Sequence, residues 1–117
     1  MVSGFNNTVK CEWLPNGRDI RILERIEFID SNGRLWIVLP HSIVNGASIP
    51  KVFWSIIGSP FVGKYRRPSV FHDVYCQSHL RACDDVHKMF LEAMLLDGVS
   101  GAKAELMYDA VNKYTRW

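Results

Sequence analysis

The stretch Val44-Asn45-Gly46-Ala47-Ser48-Ile49-Pro50 separates two periodicities in the chain, and its reading decides the fold. Gly46 permits a tight bend, and Ser48 or Ile49 falls in the cap region. Pro50 suits the first helical position, where its missing N–H costs nothing. Upstream, residues 8–40 read as strands. Residues 10–14 form a short run closed by Pro15-Asn16-Gly17, a turn in which Pro presets φ and Gly accepts a positive one. Ile20, Ile22, Ile26 and Phe28 share one parity and Arg21, Arg25 and Glu27 the other, the alternation of a half-buried strand. Leu23, Glu24 and Ile29 break it, which allows a bulge. Asp30-Ser31-Asn32-Gly33 supplies a hairpin turn, and residues 34–39 (RLWIVL) are the more buried return strand.

Downstream of Pro50 the period lengthens. Residues 51–57 form a short helix stopped by Gly58, and residues 59–63 a loop. A second helix starts near Arg67-Pro68 and runs to about His79. Asp84 or Asp85 opens a third, with Val86, Met89, Phe90 and Ala93 on one face and Asp97-Gly98 as its stop. Ser100 caps a fourth, with Ala102, Leu106, Ala110, Val111 and Tyr114 as its apolar stripe. Strands followed by helices define an α+β protein. The expectation is a single domain, 1–117, with a small antiparallel sheet in its β-rich part (8–40) packed with three to four helices (50–116).

Composition bounds the function. The 117 residues are 48% hydrophobic and 22% charged, the balance of a globular chain rather than a disordered one. A net charge of +2 and one short basic cluster, Lys64, Arg66 and Arg67, give no footprint for nucleic acid. No apolar run is long enough to cross a membrane, and no signal-peptide layout is present. Cys11, Cys76 and Cys83 are odd in number and not spaced as a disulfide framework, so reduced thiols are expected.

The chemistry, if any, is concentrated in residues 68–90, PSVFHDVYCQSHLRACDDVHKMF, which hold three of the four histidines and two of the three cysteines. At about 100° per residue, His72, Tyr75, Cys76 and His79 share a quadrant of their helix, with Asp73 at its rim and Val70 and Val74 opposite. His87, one turn before Phe90, is placed to approach His72 across a helix pair. Three readings follow. His72, Asp73 and His87 could activate a water or hold a divalent metal, because imidazole is near its pKa at neutral pH and a carboxylate can orient it. Cys76, His79, Cys83 and His87 (C-x2-H-x3-C-x3-H) could hold a structural zinc. Or the histidines are buried on backbone carbonyls, the cysteines are small apolar fillers, and Asp84 and Asp85 serve a helix dipole. Phe53, Trp54, Ile56, Ile57 and Phe61 read as helix anchors more readily than as a substrate groove. Asn45 and Ser48 suit a cleft, and equally a turn and a cap.

Taken together, N-G-A-S-I-P (45–50), V-F-H-D (70–73), M-F-L-E-A-M (89–94) and the final helix resemble a phage and prophage family catalogued as a domain of unknown function, DUF1353. The likeness covers residues 39–114. Ser48, Ile49, Pro50, Trp54, His72 and Asp73 match the pattern of that family. Asn45 stands where Asp is usual, and His87 where an Asp three residues before Phe90 is expected. The His-Asp pair facing a residue on the next helix is also similar to small secreted phospholipases, in which the His activates a water and the Asp binds calcium. This chain lacks their glycine-rich calcium loop and disulfide net. The resemblance implies a phage-encoded protein in a bacterial host cytoplasm or in a virion. It is expected to be a hydrolase acting at His72, Asp73 and His87 on a lipid or cell-wall ester or amide. The alternative is a non-catalytic protein that binds a partner, as a virion or tail component or as an inhibitor of a host defence protein. An enzyme needs His72 and Asp73 to line an open cavity. A binding protein packs them away and exposes an apolar patch elsewhere.

Overall fold

The structure is a computed structural model that describes residues 3–117, with the backbone alone at Ile57. The chain divides into two compact units, Met1–Asn45 and Gly46–Trp117, with the boundary inside the stretch where the periodicity changes.

The first unit is all β. Its strands are β1 (Gly4–Phe5), β2 (Cys11–Trp13), β3 (Ile20–Ile22), β4 (Ile26–Ile29), β5 (Leu35–Val38) and β6 (Ile43–Val44). They form two three-stranded antiparallel sheets, β1-β4-β5 and β2-β3-β6, rather than the single sheet expected. Residues 20–29 are accordingly two strands in different sheets. The interruption, Leu23, Glu24 and Arg25, is exposed. It leaves Ile20, Ile22, Ile26 and Phe28 fully buried on the parity the sequence shows. The hairpin β4–β5 pairs Ile29 with Leu35 and Ile26 with Val38. Its turn is held by Asp30, whose carboxylate accepts from the amides of Asn32 and Arg34 and from the indole N–H of Trp36, each at 2.9 Å. Burial alone would raise the Asp30 carboxyl. The Trp36 indole and then the two amides outweigh it and hold that carboxyl below its ordinary value.

The second unit is helical. Pro50 caps a 3-10 turn, Lys51–Phe53, that runs into α1 (Trp54–Ile57), closed by Gly58 at φ 75°. The preceding bend needs Gly46: at φ 77°, a Cβ there would lie 3.2 Å from Pro60 and 3.3 Å from Trp54. A second 3-10 turn, Gly63–Tyr65, leads into α2 (Arg66–Ser78), followed by α3 (Cys83–Leu96) and α4 (Gly101–Tyr114). Helix α2 ends on His79 in the left-handed conformation, its N–H returning to Tyr75 O. Ser100 caps α4 by accepting from the Lys103 amide, as its sequence position suggests.

The core of this unit gathers Ile49, Tyr65, Phe90, Met94, Val99, Ala104, Met107 and Val111, with Phe53 and Trp54 packed against it. On α3 the expected face, Val86, Met89, Phe90 and Ala93, is the buried one. On α4 it is so only in part. Ala110 and Val111 are buried as expected, but Ala102, Leu106 and Tyr114 are exposed, and Ala104 and Met107 are buried in their place. Both sets have helical spacing, and the neighbours on α3 decide between them. Of the expected anchors near α1, Phe53 and Trp54 are half-buried, Phe61 is buried and Ile56 is exposed; the Ile57 side chain lies outside the described residues.

Candidate functional site

Three helical-unit elements converge on one polar row. The turn before Pro50 supplies Ser48, α2 supplies His72 and Asp73, and α3 supplies His87. His72 Nδ1 lies 3.0 Å from Ser48 Oγ, and His72 Nε2 lies 2.9 Å from His87 Nδ1. His87 Nε2 is 2.6 Å from the carbonyl of Thr115, just beyond α4. The Thr115 hydroxyl in turn donates to Ser48 O at 2.8 Å, so the row closes on itself.

The direction of the hydrogens follows from the last member. A carbonyl only accepts, so His87 Nε2 carries hydrogen, and neutral His87 then accepts at Nδ1. His72 must therefore donate from Nε2, which leaves a bare lone pair on Nδ1 to receive the Ser48 hydroxyl. Both rings are 0% exposed. Burial, and then the neighbouring His87, hold His72 well below the ordinary imidazole value. His87 is also lowered, chiefly by burial, with the Thr115 carbonyl working in the opposite direction. Both imidazoles are thus neutral at neutral pH. The ring of Phe90 covers His72 at 4.4 Å.

Asp73 has a different task from the one its sequence position suggests. It is not at a rim but 2% exposed. One carboxylate oxygen accepts the Ser48 amide at 3.2 Å and the other accepts from Gln77 at 3.0 Å. It fixes the backbone of the turn that carries Ser48. Cys76, one turn after His72, sits 3.6 Å from both of its ring nitrogens. Burial, and then Asp73, push its thiol up to about 12, so it stays protonated.

His72 and His87 meet, as the helix periodicities suggest, but the expected metal set does not assemble around them. Their facing nitrogens are bonded to each other, and Asp73 is occupied by Ser48 and Gln77. The four side chains considered for zinc have separate surroundings: Cys76 lies against His72, exposed His79 stacks on Trp117, and Cys83 lies near Asp84. His87 is taken by His72 and Thr115. Among the described residues, no group of three His, Cys, Asp or Glu side chains is placed to hold a metal ion. The three cysteines are free thiols, and the backbone-carbonyl partner considered for a buried histidine is present at His87.

Two contributors were not legible in advance. Thr115 enters through its carbonyl, an atom every residue has. Trp117 packs edge-on to His87 at 5.7 Å and stacks on His79 at 4.6 Å, with its indole N–H on Arg81 O at 3.3 Å. The only sequence signal for that segment was an aromatic residue beyond the last helix. Arg116 adds an ion pair with Asp84 at the start of α3.

The chain belongs to the family described as "Protein of unknown function (DUF1353)", whose model matches residues 20–111. It is 48% identical over 87 residues, 74% of its length, to the uncharacterized protein y4jT of Sinorhizobium fredii (strain NBRC 101917 / NGR234). It is 36% identical over 91 residues, 77% of its length, to the uncharacterized protein y4iH of the same strain. The matches span 26% and 38% of those two proteins, so the chain corresponds to well under half of either relative. No solved structure matches the chain. No helix among the described residues is long and apolar enough to cross a membrane.

Proposed function

We propose that the helical unit is a hydrolytic module in which Ser48 is the nucleophile, His72 its general base and His87 the group that orients and relays. The observation that carries the reading is the one-way row Ser48–His72–His87–Thr115. A serine hydroxyl is a weak nucleophile until a neutral imidazole takes its proton, and the base is itself usually oriented by a third group. Here the lone pair of His72 Nδ1 faces the hydroxyl, and burial keeps the ring uncharged, and so able to accept, at neutral pH. On accepting the Ser48 proton at Nδ1, His72 can pass its Nε2 proton to His87 Nδ1, and the charge then rests beside the Thr115 carbonyl. Asp73 is a positioning residue that holds the Ser48 amide. The resemblance to phage and prophage sequences directs the substrate class to a lipid or cell-wall ester or amide, in a bacterial host or a virion.

The second reading, a non-catalytic protein that binds a partner, is favoured by packing. His72, His87 and Asp73 are packed away, being 0%, 0% and 2% exposed, while Val52 and Ile56 stand 72% and 47% exposed on the α1 segment. The amides of Ser48 and Ile49 are also already bonded, to Asp73 Oδ1 and Gly46 O, so an oxyanion would need other donors.

A fluorophosphonate probe separates the two. The hydrolytic reading expects covalent labelling mapped to Ser48 by mass spectrometry, abolished in Ser48→Ala and His72→Gln while the circular dichroism of both variants stays native-like. A folded wild-type protein that takes no label, and hydrolyses no p-nitrophenyl ester, rejects the enzyme.

A further inference from the structure

We infer that residues 115–117, beyond α4, are a strap that closes the Ser48–His72–His87 row, and that local detachment of this strap is the step that admits substrate. The row needs such a step: Ser48 is 7% exposed and both imidazoles 0%, so the closed fold keeps a substrate carbonyl away from them. For its purpose the strap rests on the hydrolytic reading. The opening itself is a property of the helical unit.

The members of the row are covered by different things. His72 lies against Phe90, which belongs to the core with Met94, Met107 and Val111, so an opening there would break that core. His87 lies against the strap: the Thr115 carbonyl is 2.6 Å from its Nε2, and Trp117 meets its ring edge-on at 5.7 Å. Thr115 also reaches the far end of the row, where its hydroxyl donates to Ser48 O at 2.8 Å. One residue therefore ties down both ends. The strap is also weakly held beyond that residue. Helix α4 ends at Tyr114, and Thr115 leaves the helical conformation at φ −126° and ψ 75°. Among the described residues, the amides of Arg116 and Trp117 make no backbone hydrogen bond, and their side chains do the holding. Arg116 pairs with Asp84 at 2.7 Å between exposed side chains, a kind of pair that adds little stability. Trp117, 37% exposed, stacks on exposed His79 at 4.6 Å and donates to Arg81 O at 3.3 Å. No residue from Asn112 to Trp117 is buried, so detachment takes no side chain out of the core. Segments of this kind open locally, well below the free energy of global unfolding. The two bonds that Thr115 gives up are replaced by bonds to water, because the same movement wets His87 Nε2 and the Ser48 carbonyl. Closure shuts water out of the row and opening admits the reactant, as lids do in other enzymes.

Carbethoxylation of the full chain by diethyl pyrocarbonate at neutral pH, read residue by residue by mass spectrometry, tests the strap. The reagent takes neutral imidazoles that solvent reaches, and exposed His41 is the internal standard. In the wild-type chain His87 should react far more slowly than His41. Arg116→Gln/Trp117→Ala removes the outer holds and leaves Thr115 in place. There the His87 rate should rise about tenfold with His41 unchanged, because the rate follows the population of the open form. Arg116→Gln alone should move it the same way by a smaller factor, and it carries the test if the double variant loses its native-like circular dichroism. Fluorophosphonate labelling of Ser48 in the same variants separates the strap from the chemistry. A rise in both rates supports the two together, whereas an uncovered His87 beside an unlabelled Ser48 keeps the strap and rejects the nucleophile. A wild-type His87 as reactive as His41, or a His87 rate unchanged in the folded variants, overturns the strap whether or not Ser48 labels.

Discussion

Each half of the chain holds a buried polar network, and the two differ in the sequence distance they bridge. In the β unit, Asp30 collects two amides and an indole from residues no more than six positions away. In the helical unit the row that starts at Ser48 is closed by Thr115, 67 positions later. A local network forms with its turn and costs little loop-closure entropy. A long-range network exists only after the turn, α2, α3 and the segment beyond α4 are all in place. The first kind therefore specifies a register, and the second an assembly.

The comparison breaks if the two networks respond alike to removal of a member. His87→Leu keeps the volume roughly constant but orphans the Nε2 hydrogen of His72 and the Thr115 carbonyl. It should cost about 3 kcal/mol in urea unfolding, the sum of two buried unsatisfied groups. A loss no greater than that of an Asp30 variant would mean that the row adds no cohesion to the helical unit.

The next effect is on pH. His72 and His87 titrate below 6.5 in the fold, so in that range the unfolded chain binds more protons than the native one. Their contribution is present above about 6.5 and is lost as pH falls below it. Asp30 is also depressed, but from 3.8, so its contribution persists until far more acid conditions. Stability measured against pH should show two separate declines. The upper one should flatten in His72→Gln, and a curve in that variant identical to wild type would remove the histidines from the account.

The smallest effect is at the local network. Asp30→Ala leaves the Trp36 indole N–H as the one deeply buried orphan, while the Asn32 and Arg34 amides, on exposed residues, can turn to water. A loss of about 1.5 kcal/mol is expected, with no change in fluorophosphonate labelling at Ser48. A change in labelling would show that the two networks are coupled.

The same contrast explains how much of the molecule could be read from its residues. Helix ends announced themselves through local chemistry: Pro50, Gly58 and Ser100 act within a few residues of where they stand. The 30–33 turn did so too. The split of residues 20–29 was invisible because Ile22 and Ile26 are four apart, so an interruption of three residues leaves the alternation intact. The first half of the α4 stripe was ambiguous because residues 102 and 106 and residues 104 and 107 both lead at helical spacing to the buried pair 110 and 111. At the site, the meeting of His72 with His87 followed from periodicity on two neighbouring helices. The burial of Asp73 did not, because its partner is an amide 25 positions upstream, and neither did Thr115, whose contributing atom has no side-chain signature.

That carbonyl has a further consequence. With no hydrogen to give, it sets every N–H and O–H in the row pointing the same way, so the bond dipoles align head to tail and reinforce one another. Withdraw residue 115, and His87 is free to exchange tautomers, His72 with it, and the hydroxyl at the far end loses its fixed acceptor. A peptide group at the edge of the helical unit thereby fixes the tautomer of an imidazole two rings away.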